Sequence, residues 1–344
     1  MWLDFTEGRP DLDRLEFFFS KDWQQAVLAF LRQWYDQYPV LSVYSSGTTS
    51  SLRMFSVKKA HMVSSARMTA DFFGLKSGSR ALLCLSPDYI AAKMLLVRAA
   101  VLGWQLCCVP PSSQPLKGFD ASFDFVPMVP LQLAESLADL GRVKILLIGG
   151  ALISSRLEEA LQLCPTACYS SYGMTETLSH VALRRINGTD REQYFRTLPG
   201  IDLSLDERGC LRIFAPELMD APLQTQDLVE LVSEDQFIWL GRYDYLINSG
   251  GIKIIPEQWE ERFRPFVSTS FFIAALPDEI LGQKIALFVE GKPTSLEIPE
   301  MLFVGKDRFC KPREICFVPQ FLWTSSGKIR REKTLQKFIE GRFF

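Results

Sequence analysis

Imidazole is the scarcest chemistry in this chain: 344 residues contain two histidines, His61 and His180. Neither has the spacing of a zinc ligand, so the eight cysteines, including Cys164 and Cys168 on either side of Pro165, gain no partner for a metal site. Nothing implies the oxidising compartment that a disulfide framework would need. Long apolar runs are missing too. The best stretch, Ala91 to Val109, is interrupted by Lys93 and Arg98, so no segment is expected to insert in a membrane. The first residues, Met1 to Asp13, are acidic and lack the charged-then-apolar order of a secretory signal, so a soluble, cytoplasmic protein is expected. Charge of one sign is nowhere concentrated: 38 basic and 40 acidic side chains give a net charge of −2. That leaves no electrostatic footprint for nucleic acid and favours a small-molecule partner. Internal repeats and low-complexity tracts are absent, which excludes a solenoid or a disordered tail.

Apolar residues make up 47% of the chain, enough to fill the cores of two domains. Trp23, Val27, Phe30, Leu31 and Trp34 recur at helical spacing, predicting a helix over 21–38 that Pro39 ends. Val40 to Tyr44 reads as a strand running into the hydroxyl-rich loop Ser45 to Ser51. Helices at about 58–73, 89–102 and 154–163 then alternate with strands at 81–85, 105–109 and 143–148, which predicts an α/β domain with a largely parallel sheet. The continuous apolar run Val143 to Ile148, ending in Gly149-Gly150, fits the buried interior of such a sheet. After Gly200 the strands are short and separated by turn residues (201–205, 210–214, 237–240), predicting a smaller antiparallel layer. The glycine-rich stretch around 241–251 suggests a boundary between units 1–242 and 243–344, the second ending in a helix over 331–339.

Four segments carry chemistry. In Ser45-Ser46-Gly47-Thr48-Thr49-Ser50-Ser51, small residues let backbone amides and hydroxyls converge on a phosphate chain, although a solvated turn has the same composition. Tyr169 to Thr177 brings together aromatic rings, Gly173, the Thr175 hydroxyl and the Glu176 carboxylate, groups that can stack on a base, bond a phosphate and ligate Mg2+; a capped helix start at Thr175 is the plainer reading. Gly241 to Pro256 is a charged turn with a glycine pair, Gly250-Gly251, which a hairpin alone would also explain. Ser325-Ser326-Gly327-Lys328-Ile329-Arg330-Arg331 sets a lysine on a glycine-hinged loop. Because Ile329 follows Gly327-Lys328, the Walker pattern is absent, and ATP would have to be bound differently.

In this order the four segments resemble the signature set of the adenylate-forming superfamily of acyl- and aryl-CoA ligases, peptide-synthetase adenylation domains and luciferases, over about Leu41 to the C-terminus. The resemblance implies a large N-terminal domain with parallel sheets flanked by helices plus a small β layer, and a small mobile C-terminal lid. It assigns Ser45, Ser46, Gly47, Thr48 and Thr49 to the ATP phosphates, and Thr175 and Glu176 to phosphate and Mg2+. Gly149, Gly150, Ala151, Ser171, Tyr172 and Gly173 would surround the adenine. Asp227, in Thr225-Gln226-Asp227 where relatives have Thr-Gly-Asp, would hold the ribose hydroxyls. Arg242 would reach the ribose and phosphate side, Asp244 would be the hinge, Lys328 would stabilise charge at the α-phosphate during adenylation, and Gly250 and Gly251 would belong to the coenzyme A face.

Two departures stand out. The phosphate loop lacks its second glycine and has Arg53 where relatives have lysine, and only about 44 residues precede the loop. Compactness and the region from Leu83 to Pro111 resemble the o-succinylbenzoate–CoA ligases of menaquinone biosynthesis. That resemblance implies an aromatic acid whose second carboxylate meets Arg98, with Lys93 nearby and Tyr89 gating where the usual histidine is replaced by Ser86-Pro87-Asp88-Tyr89. A helix-end arginine is the alternative for Arg98. The expected reaction is ATP- and Mg2+-dependent acid–CoA ligation. A carrier-loading adenylation module and a nucleotide-binding paralogue without chemistry remain alternatives, and a homodimer stays open.

Overall fold

The computed structural model describes residues 1–44, 54–324 and 327–342. A twelve-stranded sheet organises the first 242 residues. Its parallel half consists of Gln105–Cys108, Arg80–Leu83, Phe123–Met128, Val143–Ile148 and Ala167–Gly173, in that spatial order, with Trp2–Asp4 antiparallel on the outer edge. The strands are apolar on both faces because helices cover both sides, as the run Val143–Ile148 suggested. The helix Ile90–Leu102 packs into this core and buries Met94, Leu95, Leu96 and Val97 together with Arg98.

The antiparallel strands expected after Gly200 are continuous with this sheet. His180–Arg185 pairs antiparallel with Ala167–Gly173, and from there Phe195–Thr197, Gln236–Arg242, Leu223–Ser233, Cys210–Phe214 and Asp202–Leu205 extend it edge to edge. Val40–Tyr44 and Met54–Lys58 form a separate two-stranded hairpin, in register from Val40 opposite Lys58 to Tyr44 opposite Met54.

A second, five-stranded sheet is built from Ile247–Ser249, Ile252–Ile254, Phe271–Asp278, Gly282–Glu290 and Glu314–Val318, the last pairing parallel with Gly282–Glu290. The helix Pro256–Phe263 packs on it through Trp259 and Phe263, and the helix Arg331–Ile339 runs over the span read from the sequence. Gly241, at the junction of the two sheets, has no room for a side chain: a Cβ there would sit 2.3 Å from the Ile255 Cγ2 and 2.7 Å from a Glu257 carboxylate oxygen.

Candidate functional site

The site gathers at the carboxyl ends of the parallel strands Val143–Ile148 and Ala167–Gly173, where open α/β sheets offer their crevice. Gly149 follows the first strand, and a Cβ on it would come within 2.6 Å of the Ser171 Oγ, so only glycine lets the backbone pass this close to the neighbouring strand. Ser171 is held there by donating to the Ile148 carbonyl, 3.0 Å away. Gly150 and Ala151 continue the turn on the surface.

Tyr172 leads from strand to motif. Its ring packs edge-on against Phe237, and its hydroxyl donates to Asp227 Oδ2 at 2.8 Å. The indole N–H of Trp239 donates to the other Asp227 oxygen at 3.0 Å. Asp227, 6% exposed, therefore presents a fixed carboxylate with one acceptor direction per oxygen still available. Burial first, and the Asp227 charge second, raise the Tyr172 pKa well above that of an ordinary phenol, so the hydroxyl stays a donor.

After Gly173 the chain makes a single 3₁₀ turn, Thr175–Thr177, in which Thr177 Oγ1 accepts from the Met174 N–H at 2.9 Å. Thr175 is buried, Glu176 is exposed, and neither side chain has a hydrogen-bond partner among the described residues. Leu178 follows at φ 65° and ψ −41°, with the Ser179 N–H bonded to the Thr177 carbonyl at 2.7 Å. This is a γ-turn, a strained conformation for leucine. Gly173 is tied to the same place, since a Cβ on it would meet the Ser179 carbonyl oxygen at 2.1 Å.

Across the antiparallel pair, Asp227 stands opposite Arg242. The Arg242 guanidinium forms a fork with Asp244, Nε–Oδ1 2.9 Å and Nη2–Oδ2 2.6 Å, while its Nη1 lies 4.0 Å from Asp227. Lys328 comes from the far end of the sequence. Thr324 holds it on a small hairpin: the Lys328 N–H donates to Thr324 Oγ1 at 2.9 Å and the Thr324 N–H to the Lys328 carbonyl at 2.8 Å. Burial first, then Arg242, lower the pKa of the ammonium, and Asp227 opposes them. Lys328, Arg242 and Asp227 thus form one electrostatic group. Just beyond, Arg331 grips Glu260 bidentately at 2.8 and 2.6 Å and lies over the Tyr245 ring.

Other expected residues stand apart. Gly250 and Gly251 form the exposed two-residue loop of the hairpin Ile247–Ile254, both with positive φ as such a loop requires, and share no hydrogen bond with Lys328, Arg242 or Asp227. Tyr89 precedes the helix Ile90–Leu102, and Lys93 is half-buried in its first turn with its pKa lowered by burial. Arg98 stands five positions after Lys93, which sets them about 140° apart around the helix. Arg98 is 2% exposed and paired with no carboxylate among the described residues; it donates to Thr69 and Ser179 instead. Burial pushes its pKa down to about 9. Ser45, Ser46, Gly47, Thr48 and Thr49 lie outside the described residues. Sequence reasoning passed over Trp239, Ser179, His180 and Glu257, because each takes its role from a contact distant in sequence. The scarcity of histidine was the only available pointer to His180.

A nucleotide suits this donor set. Asp227 retains acceptor capacity for hydroxyls, and Lys328 and Arg242 supply fixed positive charge. Among the described residues no cluster of three His, Cys, Asp or Glu could enclose a metal ion. A single carboxylate such as Glu176 is enough for Mg2+ that takes its other ligands from phosphates and water.

Residues 22–208 match the family model described as AMP-binding enzyme. The 2-succinylbenzoate–CoA ligase of Lactococcus lactis subsp. lactis is 26% identical over 226 residues, an alignment spanning 60% of this chain and half the length of that relative. A solved structure of an acyl-CoA synthetase (AMP-forming)/AMP-acid ligase II-like protein from Dyadobacter fermentans is 34% identical, with a TM-score of 0.65 over 98% of this chain and 99% of its own. The O-succinylbenzoate coenzyme A synthetase of Bacillus subtilis, solved with ATP and magnesium ion, is 20% identical, with a TM-score of 0.69 over 86% of this chain and 69% of its own. The fold is that of the adenylate-forming enzymes, and the chain belongs to the family of AMP-binding enzymes.

Proposed function

We propose that the protein is an ATP-dependent acid–CoA ligase and that its acid is o-succinylbenzoate. The observation that carries the reading is the grouping of Lys328 and Arg242 with Asp227, whose carboxylate Tyr172 of the nucleotide-facing strand holds. In the first half-reaction a carboxylate oxygen displaces pyrophosphate at the α-phosphorus of ATP, giving the acyl-adenylate. Negative charge builds on the phosphoryl oxygens, and the Lys328 ammonium, held by its hairpin, stabilises it. Arg242 adds a second positive charge, the Thr175 hydroxyl bonds a phosphate oxygen, and Asp227 orients the ribose. Mg2+, when bound at Glu176, neutralises phosphate charge. In the second half-reaction the thiol of coenzyme A attacks the acyl carbon and AMP leaves. Lys328 has no part in that step, so units 1–242 and 243–344 are taken to turn about Asp244 and bring the Gly250-Gly251 hairpin to the site.

The names of the relatives support the choice of acid, and so does Arg98, a buried guanidinium without a counter-charge among the described residues. An unpaired buried charge is costly unless a ligand completes it. The test is pyrophosphate release with ATP and Mg2+ for o-succinylbenzoate beside benzoates and fatty acids, with and without coenzyme A. Selective release with o-succinylbenzoate, followed by thioester formation, is expected. Lys328→Ala should slow release by about 100-fold or more yet still convert supplied acyl-adenylate to thioester. ATP binding without release for any acid would reject the reading.

A further inference from the structure

Arg98 belongs to a closed ring of four side chains contributed by three elements. From the helix Ile90–Leu102 its Nε–H donates to Thr69 Oγ1 at 3.0 Å and its Nη2 to Ser179 Oγ at 2.5 Å. His180, the first residue of the strand that follows the γ-turn, closes the ring: its Nε2 is 3.3 Å from Thr69 Oγ1 and its Nδ1 is 3.2 Å from Ser179 Oγ.

The ring has a defined proton arrangement. Thr69, in the helix Lys59–Phe73, donates its hydroxyl proton to the Ser65 carbonyl at 3.0 Å, so its oxygen only accepts, from Arg98 and from His180. His180 must then carry its proton on Nε2. Its Nδ1 is an acceptor, Ser179 donates to it, and the Ser179 oxygen is left to accept from Arg98. A doubly protonated imidazole would take the Ser179 lone pair and set a second positive charge against the guanidinium. Burial, and next the Arg98 charge, lower the His180 pKa well below the ordinary histidine value, which keeps the imidazole neutral. With Nε and one Nη2 hydrogen committed, the Nη1 hydrogens and the second Nη2 hydrogen of Arg98 remain, and they lie along the edge that matches a carboxylate.

We propose that His180, Thr69 and Ser179 are positioning residues that lock Arg98 in one orientation and reserve its terminal edge for an anionic group of the acid, which rests on the role given to Arg98 above. The neutral histidine orients the two hydroxyls, and the hydroxyls orient the guanidinium. Ser179 lies two residues beyond the Thr175–Thr177 turn, so the acid's anchor and the nucleotide-facing turn share one piece of backbone.

Two measurements test this. With only two histidines in the chain, 15N-labelled imidazole gives two ring systems, and His61→Gln assigns them. His180 should show the Nε2–H tautomer and not titrate through the neutral range; a titrating or doubly protonated ring overturns the proposal. The second is steady-state kinetics with o-succinylbenzoate. Thr69→Val and Ser179→Ala should each raise the KM for the acid about tenfold, the size of one lost charge-assisted hydrogen bond, with the KM for ATP unchanged. Thr69→Ser, which keeps the hydroxyl, should restore the wild-type value. If Arg98→Gln raises the KM while Thr69→Val and Ser179→Ala do not, Arg98 keeps its role and the positioning residues lose theirs. If Arg98→Gln leaves the KM unchanged, the role of Arg98 falls and the proposal with it.

Discussion

Glu257 is a carboxyl group held far from its ordinary chemistry. It is 8% exposed, one carboxylate oxygen has no partner, and burial, reinforced by the nearby Glu260 charge against the pull of Arg331, pushes its pKa from 4.5 up to about 7. The folded state therefore favours the protonated form. Its contribution to stability is fully present below the unfolded value of 4.5 and is lost as pH rises through 7. Glu257→Gln, neutral throughout, should match the wild type at low pH and exceed it above pH 7 by about 3 kcal/mol, read as a difference in urea midpoint between the two pH values. Equal midpoints at both would show that the carboxyl is ionised without penalty. Lys328 gives a second pH dependence. Its lowered pKa means that the alkaline limb of the pyrophosphate-release profile should fall below the 10.5 of an ordinary lysine, where a limb at or above that value would separate Lys328 from the chemistry.

Elements differ in what their residues announce. The Val143–Ile148 strand was legible to the residue, because a continuous apolar run carries its own signal, and the terminal helix Arg331–Ile339 falls where the sequence placed one. Trp2–Asp4 was not: three residues at a sheet edge have no period, and they are a strand only because Gln105–Cys108 lies alongside. The site was legible as a set of segments but not as an arrangement. Gly173, Thr175 and Glu176 were readable as a motif, whereas the γ-turn at Leu178 was hidden, since leucine does not signal positive φ. Gly173 also shows what its motif demands in space, because the nearest atoms to an added Cβ belong to the Ser179–His180 backbone and cannot swing away. Gly173→Ala should cost about 1–3 kcal/mol by overpacking, measured by urea denaturation, and should disturb His180 in the labelled-imidazole spectrum. A variant of wild-type stability would mean that this backbone yields.

At the scale of the molecule, the helix Arg331–Ile339 is clasped through Arg331 and Glu260, and Arg331 reaches back over Tyr245 beside the junction. Removing one partner strands a buried charge, so Arg331→Met should cost about 3–5 kcal/mol. Hydrogen exchange should locate the loss in the helices 256–263 and 331–339, leaving the twelve-stranded sheet protected; loss spread evenly over both sheets would mean that they unfold as one unit.

The order of strands in the large sheet also fixes a schedule. Gln236–Arg242 is the last of its strands to be synthesised, yet it lies inside the sheet, between Phe195–Thr197 and Leu223–Ser233. Until it emerges from the ribosome, the meander from Asp202 to Ser233 has no bonded path to the parallel half. The strand is a keystone, and it ends in Arg242. The same insertion that joins the two halves of the sheet sets this arginine opposite Asp227, so a nascent chain brings these two residues together at the moment its large sheet closes.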